Sequence, residues 1–288
     1  MASDRLPQRP RFIGETRCVG ATGGSQVIQD RVDLADGSWL TVDIHGDPAA
    51  PALMVVPGVM SDARAWRRMA GAITAWPAVA VVNRRGRHPS GDLPPGYSLA
   101  TELDDVATAI GAMPSVSALF GWSYGGLITL TLASRTSVPQ VIAYEPVVRP
   151  FAAHALGDLE EAHQDADLDR TVEIVCGQIS GMDAAAIEAL RRNSAVWEAM
   201  RALARPVYAE TVALNESPPP EAFAPSVPVD LVVGGNNRGR APYGTSFEHV
   251  QVLTPHAGVH ELPGQGHMAH LEAPETLAHL LDSLRTPA

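Results

Sequence analysis

Two kinds of hydrophobic pattern succeed one another along the 288 residues. Residues 26–34 and 39–44 alternate apolar and polar side chains on either side of Ala35-Asp36-Gly37-Ser38. Alternation at period two marks strands covered on one face, and Asp-Gly between them predicts a hairpin. From residue 52 onward the apolar runs become continuous. Residues 52–56, 79–82, 117–120, 141–144, 229–233 and 258–262 are short and apolar, and most end at Gly, Pro or Asn. Such runs fit strands buried on both faces, as in a parallel sheet covered by helices. Helical stretches lie between them: 99–113 behind a Ser98 cap, 125–134 directly after Ser123, and 268–284, where Pro274 marks the start of the regular part. A hairpin followed by β–α alternation predicts a three-layer α/β domain.

The alternation breaks between residues 150 and 228. Residues 184–193, behind an Asp183 cap, and 195–204 are amphipathic, 156–168 are acidic and polar, and the segment ends in Ser217-Pro218-Pro219-Pro220. A parallel crossover needs only about a dozen residues, so this length predicts a helical cap over an active site, against the plainer reading of a long crossover. The expected organisation is a loose tail over 1–22, an α/β core from 23–149 and 229–288, and a cap from 150–228.

Composition narrows the class. A hydrophobic fraction of 45% is that of a globular chain. The 21 basic and 32 acidic residues give a net charge of −11, and neither sign forms blocks. That pattern argues against nucleic acid and anionic membranes as partners. Cys18 and Cys176 are too few for a disulfide scaffold. Arg5, Arg9, Arg11 and Arg17 are followed by no apolar leader core, and no run approaches the roughly 20 apolar residues of a membrane span. The expectation is a soluble, cytoplasmic protein. A homodimer is compatible with the sequence.

The candidate chemistry centres on Gly121-Trp122-Ser123-Tyr124-Gly125. Gly-x-Ser-x-Gly is short, but here it follows an apolar strand and opens a helix, the strand–turn–helix of a nucleophile elbow. Small residues flank the serine because a sharp turn leaves no room for side chains. The turn lifts Ser123 Oγ to a helix N-terminus, where developing negative charge is favoured. A strand–helix turn that merely contains a serine is the plainer alternative.

On this motif and the β–α order, residues from about Val27 to Leu284 resemble the α/β-hydrolase family. The resemblance implies a mostly parallel eight-stranded sheet between helices, with a helical cap. It implies that the catalytic histidine is His267, in Leu262-Pro263-Gly264-Gln265-Gly266-His267 after the last strand. His270 is the rival, read as a packed or solvated helix residue, and His260 is read as structural. The family's oxyanion hole maps onto the backbone N–H groups of Tyr124 and Val59, the latter in Val56-Pro57-Gly58-Val59-Met60. Pro57-Gly58 replaces the family's usual His-Gly, a side-chain change around a backbone donor. No cofactor and no metal are expected.

The acid departs from the usual pattern. Most of the family carries Asp after the strand at 229–233, but here that strand runs into Gly234-Gly235-Asn236-Asn237-Arg238-Gly239-Arg240. Asn237 can orient a histidine but cannot stabilise an imidazolium by charge. Asp230 lies at the wrong end of the strand. Glu145 ends the run at 141–144, on the same sheet edge as Ser123, and a glutamate there is costly to bury unless paired. A minority of the family, zearalenone lactonases included, takes its acid from that strand end; a structural glutamate capping the next turn is the alternative.

The chain is further similar to zearalenone lactonases in Glu145-Pro146, Val196-Trp197 and the Leu-Pro-Gly-x-x-His ending. It also resembles a broader group of actinobacterial α/β-hydrolases in its Arg-Arg-Gly-Arg, Ser-Gly-Asp and Tyr-Glu-Pro elements between Arg84 and Pro146. These likenesses imply a serine hydrolase of a small apolar ester or lactone, zearalenone-type macrolactones leading. Gly58, Met60, Trp122, Trp197, Met200 and Tyr208 are the expected substrate contacts. Carbon–carbon hydrolysis of a dicarbonyl, perhydrolysis, or ligand binding without turnover are the rivals.

Overall fold

The computed structural model describes residues 17–18, 27–135, 137–218, 222–223 and 227–286. One sheet runs through it, built from β1 (Arg17–Cys18), β2 (Val27–Asp33), β3 (Trp39–Gly46), β4 (Ala52–Val56), β5 (Ala78–Asn83), β6 (Val116–Trp122), β7 (Val141–Tyr144), β8 (Val229–Gly234) and β9 (Gly258–Leu262). Their order is β1-β2-β3-β5-β4-β6-β7-β8-β9. Pairing is antiparallel from β1 to β5 and parallel from β5 to β9. The eight expected strands are present, and two-residue β1 adds a ninth at the edge. Most of the tail expected over 1–22 lies outside the described residues, as do Pro219 and Pro220, but Arg17 and Cys18 pair with Gln29 and Ile28.

Local chemistry places the elements. In the β2–β3 hairpin Leu34 N donates to Ser38 O at 2.9 Å, and Gly37 supplies the left-handed φ of 84° that the turn requires. β4, β5 and β7 are buried at every position, the signature of strands covered on both faces. Short helix α1 (Arg67–Ala72) lies between β4 and β5. Helix α2 (Leu99–Ala112) starts at Ser98, whose N–H donates to Thr101 Oγ1 at 3.2 Å. Helix α3 (Tyr124–Leu132) starts immediately after Ser123.

The segment after β7 is helical: α4 (Leu156–Gln164), α5 (Leu168–Glu173), a π-helical turn (Ile174–Ile179), α6 (Ala184–Arg192), α7 (Ser194–Ala204) and α8 (Val207–Glu216). Asp183 caps α6 by accepting from Ala186 N at 2.8 Å. Helix α9 (Tyr243–Leu253) follows β8, and α10 (Ala269–Glu272) and α11 (Pro274–Leu284) close the chain. The single helix expected over 268–284 is therefore two. Ala273 leaves helical geometry with φ −141°, and Pro274, which has no N–H to donate, opens α11 instead of continuing α10.

The sheet divides the apolar interior in two. Leu40, Val42, Leu103, Val106, Leu127 and Phe247 pack on one face beneath α2, α3 and α9. Trp66, Met69, Leu277 and Leu281 pack on the other with Phe120 and Tyr144. The helical segment has an interior of its own, including Leu159, Val172, Trp197 and Val207. β4 sits between β5 and β6, so the chain leaves it to one side and lays β6 on the other. A crevice opens at the carboxyl ends of strands where the order reverses in this way, and ligands bind there in open α/β sheets. Among the described residues no helix is long and apolar enough to cross a membrane.

Candidate active site

Three residues outside the normal backbone regions stand at the ends of adjacent strands. Of the five non-glycine residues with positive φ among the described residues, Met60 (57°) follows β4, Ser123 (57°) follows β6 and Glu145 (41°) follows β7. Each such conformation costs of order 1–3 kcal/mol and persists where the surroundings over-determine it, most often at functional sites. At Ser123 the constraint comes from both sides. Its N–H donates to Tyr144 O at 3.0 Å, and its carbonyl accepts from Gly126 at 2.9 Å and Val147 at 3.3 Å. A Cβ on Gly125 would stand 1.9 Å from Val56 O, and one on Gly58 would stand 2.8 Å from the Ser123 Cβ. The β4 loop therefore lies directly against the serine, and α3 points its N-terminus there.

Glu145 is fully buried, and every polar contact on its carboxylate is a donor. Gly234 N donates to Oε1 at 2.9 Å, and Asn237 Nδ2 lies 2.9 Å from both oxygens. His267 Nδ1 lies 2.6 Å from Oε2. A carboxylate only accepts, so Nδ1 carries the proton and Nε2 presents its lone pair. Burial holds the His267 imidazole below its ordinary pKa, and the hydrogen bond and charge of Glu145 pull the other way. The ring is also clamped on its faces. Tyr243 stacks on it with centroids 3.5 Å apart at 9°, and Trp122 lies 4.6 Å away with its indole N–H donating to His267 O at 2.7 Å.

The other sequence candidates fall into place around this centre. Tyr124, with its N–H at the start of α3, is buried. Trp122 is buried behind His267, holding the loop that carries it. Val59 and Met60 are half-buried and lean on the interior of the helical segment, with Met200 and Tyr208 on the same cluster. Trp197 turns into that interior, its indole N–H donating to Asp169 and its ring under Arg191. His270 stacks on Trp66 at 4.2 Å, and burial, with His267 nearby, pushes its pKa down to about 3. His260 pairs with Asp230 at 2.8 Å, away from this edge.

Two participants had no signal in periodicity or spacing. Tyr243 reaches His267 only because α9 starts after Pro242 at the mouth of β8, and its hydroxyl lies 3.0 Å from Ser180 Oγ of the helical segment. Arg84 donates to the carbonyls of both Pro57 and Gly58. A charged residue directly after an apolar strand was the available clue.

A comparison with family models matches residues 53–280 to the alpha/beta hydrolase family. The chain belongs to that family. No curated protein matches it. Among solved structures, an alpha/beta hydrolase from Sphaerobacter thermophilus has a TM-score of 0.71 at 22% identity, covering 88% of this chain and 98% of that one. An enol-lactonase from Burkholderia xenovorans has a TM-score of 0.67 at 18% identity, covering 86% and 96%. A bromoperoxidase from Bacillus anthracis has a TM-score of 0.67 at 16% identity, covering 89% and 100%. At these identities the likeness is one of fold. In this alpha/beta hydrolase the loop after β8 carries Asn237, whose side chain is spent on anchoring Glu145.

Proposed function

We propose that the protein is a serine hydrolase of carboxylic esters that works through an acyl-enzyme, with Ser123, His267 and Glu145 as its triad. The observation that carries this reading is the 2.6 Å contact between His267 Nδ1 and a fully buried Glu145, on the same sheet edge as a strained serine at a helix N-terminus. His267 Nε2 takes the Ser123 proton as Oγ attacks the carbonyl carbon. The Val59 and Tyr124 N–H groups receive the oxyanion. The imidazolium then protonates the departing alkoxide, and water repeats the sequence to release the acid. Glu145 keeps the imidazole in the productive tautomer.

Residues 150–228 act as the cap. Val59, Met60, Met200 and Tyr208 share an apolar cluster between the β4 loop and the cap helices, which supports an apolar acyl or alcohol group. A lactone is the favoured substrate, with a zearalenone-type macrolactone heading the panel to be tried. The likeness to an enol-lactonase supports lactone chemistry at the level of fold.

A fluorophosphonate probe is expected to label the wild type and to leave Ser123→Ala unlabelled; a wild type that stays unlabelled overturns the reading. The pH profile gives a second expectation. The base must be neutral, so kcat/KM falls as pH drops through the His267 pKa, and burial places that inflection below the ordinary histidine value of 6.5. An acid limb above the ordinary histidine value contradicts the assignment.

A further inference from the structure

The Arg84-Arg85-Gly86-Arg87 run after β5 buries three cations: Arg85, paired with Asp105 and Asp36, and Arg84 and Arg87, each 2% exposed. A guanidinium stays charged, so its burial demands anions and acceptors. Arg84 Nη1 donates to Glu102 Oε1 of α2 at 2.6 Å and pairs with Glu210 Oε1 of α8 at 2.7 Å. Arg87 Nη2 donates to Glu210 Oε2 at 2.7 Å, and the Tyr97 hydroxyl donates to Glu102. The quartet is formally neutral. Burial alone lowers the Arg84 pKa, but Glu102 and Glu210 outweigh it and hold the guanidinium above its ordinary value.

The remaining donors of Arg84 face the β4 loop. Nε donates to Pro57 O at 2.8 Å and Nη2 to Gly58 O at 2.7 Å. The cis peptide bonds of the described chain all precede proline, so the Gly58–Val59 peptide is trans and its C=O and N–H point in opposite directions. With the carbonyl held by Arg84, the Val59 N–H points away from the guanidinium, and Gly58 itself abuts Ser123. The guanidinium also stands 5.3 Å from the ring of Tyr124, whose N–H is the partner donor.

We propose that Arg84 is a positioning residue for the oxyanion hole, holding the Gly58–Val59 peptide with its N–H toward the reacting centre, and that Glu210 ties this setting to the cap. The inference rests on the serine-hydrolase reading. A flip of that peptide forfeits the charged Nη2 bond and turns a carbonyl oxygen toward Ser123. The cation also polarises the peptide, which strengthens its N–H as a donor.

Arg84→Lys keeps the charge, but one nitrogen cannot serve two carbonyls and two carboxylates. On a nitrophenyl ester its kcat is expected to fall about 10²-fold, the scale of one oxyanion donor, with KM within about threefold. Affinity for a trifluoromethyl ketone, whose hemiketal oxygen occupies the hole, falls by the same factor, while affinity for the product alcohol stays. Fluorophosphonate still titrates one site per chain. If Arg84→Lys does not fold, Glu210→Gln decides, with kcat and ketone affinity both falling about fivefold at an unchanged alcohol affinity. Full kcat in the deciding variant overturns the proposal, and so does a loss that follows only the folded fraction. An unlabelled wild type sinks the serine-hydrolase reading; a labelled wild type beside a fully active Arg84→Lys sinks this inference alone.

Discussion

Ser123→Ala is expected to lower kcat on an activated ester by about 10⁶-fold, and the Ser123→Ala/His267→Ala double variant by no more than that. The proposed nucleophile and base would act as one unit: without Oγ there is no proton for Nε2 to accept, and without Nε2 the hydroxyl remains a poor nucleophile. On this proposal the residual rate comes from groups that both variants retain, the Val59 and Tyr124 N–H groups and the apolar surface around them. Steady-state kinetics of the two single variants and the double one check this. Losses that multiply in the double variant would place the two residues in separate roles.

Glu145→Gln is expected to lower kcat by about 10⁴-fold. The size follows from how the carboxylate is held. Gly234 N and Asn237 Nδ2 both donate to Oε1, so a glutamine at this position is steered to put its carbonyl oxygen there. Its NH₂ then faces His267 Nδ1, which must accept instead of donate. The imidazole proton moves to Nε2, and the base is lost. Asn237→Ala deletes one donor and leaves Gly234 N in place, so its cost is about tenfold, the scale of one charged hydrogen bond. Comparing kcat for the two variants is decisive; a greater loss in Asn237→Ala would remove Glu145 from the triad.

Much of the frame was legible in the chain because it rests on local rules. Continuous apolar runs marked β4 and β7 at their observed bounds, since buried parallel strands have no polar face to show, whereas β9, at its expected bounds, is an edge strand exposed along most of its length instead of buried on both faces. Gly121 and Gly125 around Ser123 reflect a turn whose backbone atoms leave no space for a Cβ. A glutamate at the end of β7 stood out because an unpaired carboxylate cannot be buried there. The contacts that complete the site were not legible, for a common physical reason. Tyr243 meets His267 across 24 residues and a β–α crossover, and neither element's period encodes where the other ends. Trp197 shows the same limit. Its place on an amphipathic helix was readable, but whether it faced ligand or interior depended on Asp169 and Arg191 of neighbouring helices.

The left-handed backbone at Met60, Ser123 and Glu145 has a consequence for anyone seeking a hardier form of this protein. Glycine adopts such angles without penalty, so a search scored on thermal resistance alone is drawn to these positions first. The same exchanges delete the proposed nucleophile, the proposed acid and an apolar wall of the crevice. Durability and turnover therefore compete at the ends of three neighbouring strands, and a screen that rewards melting temperature needs a rate measurement beside it.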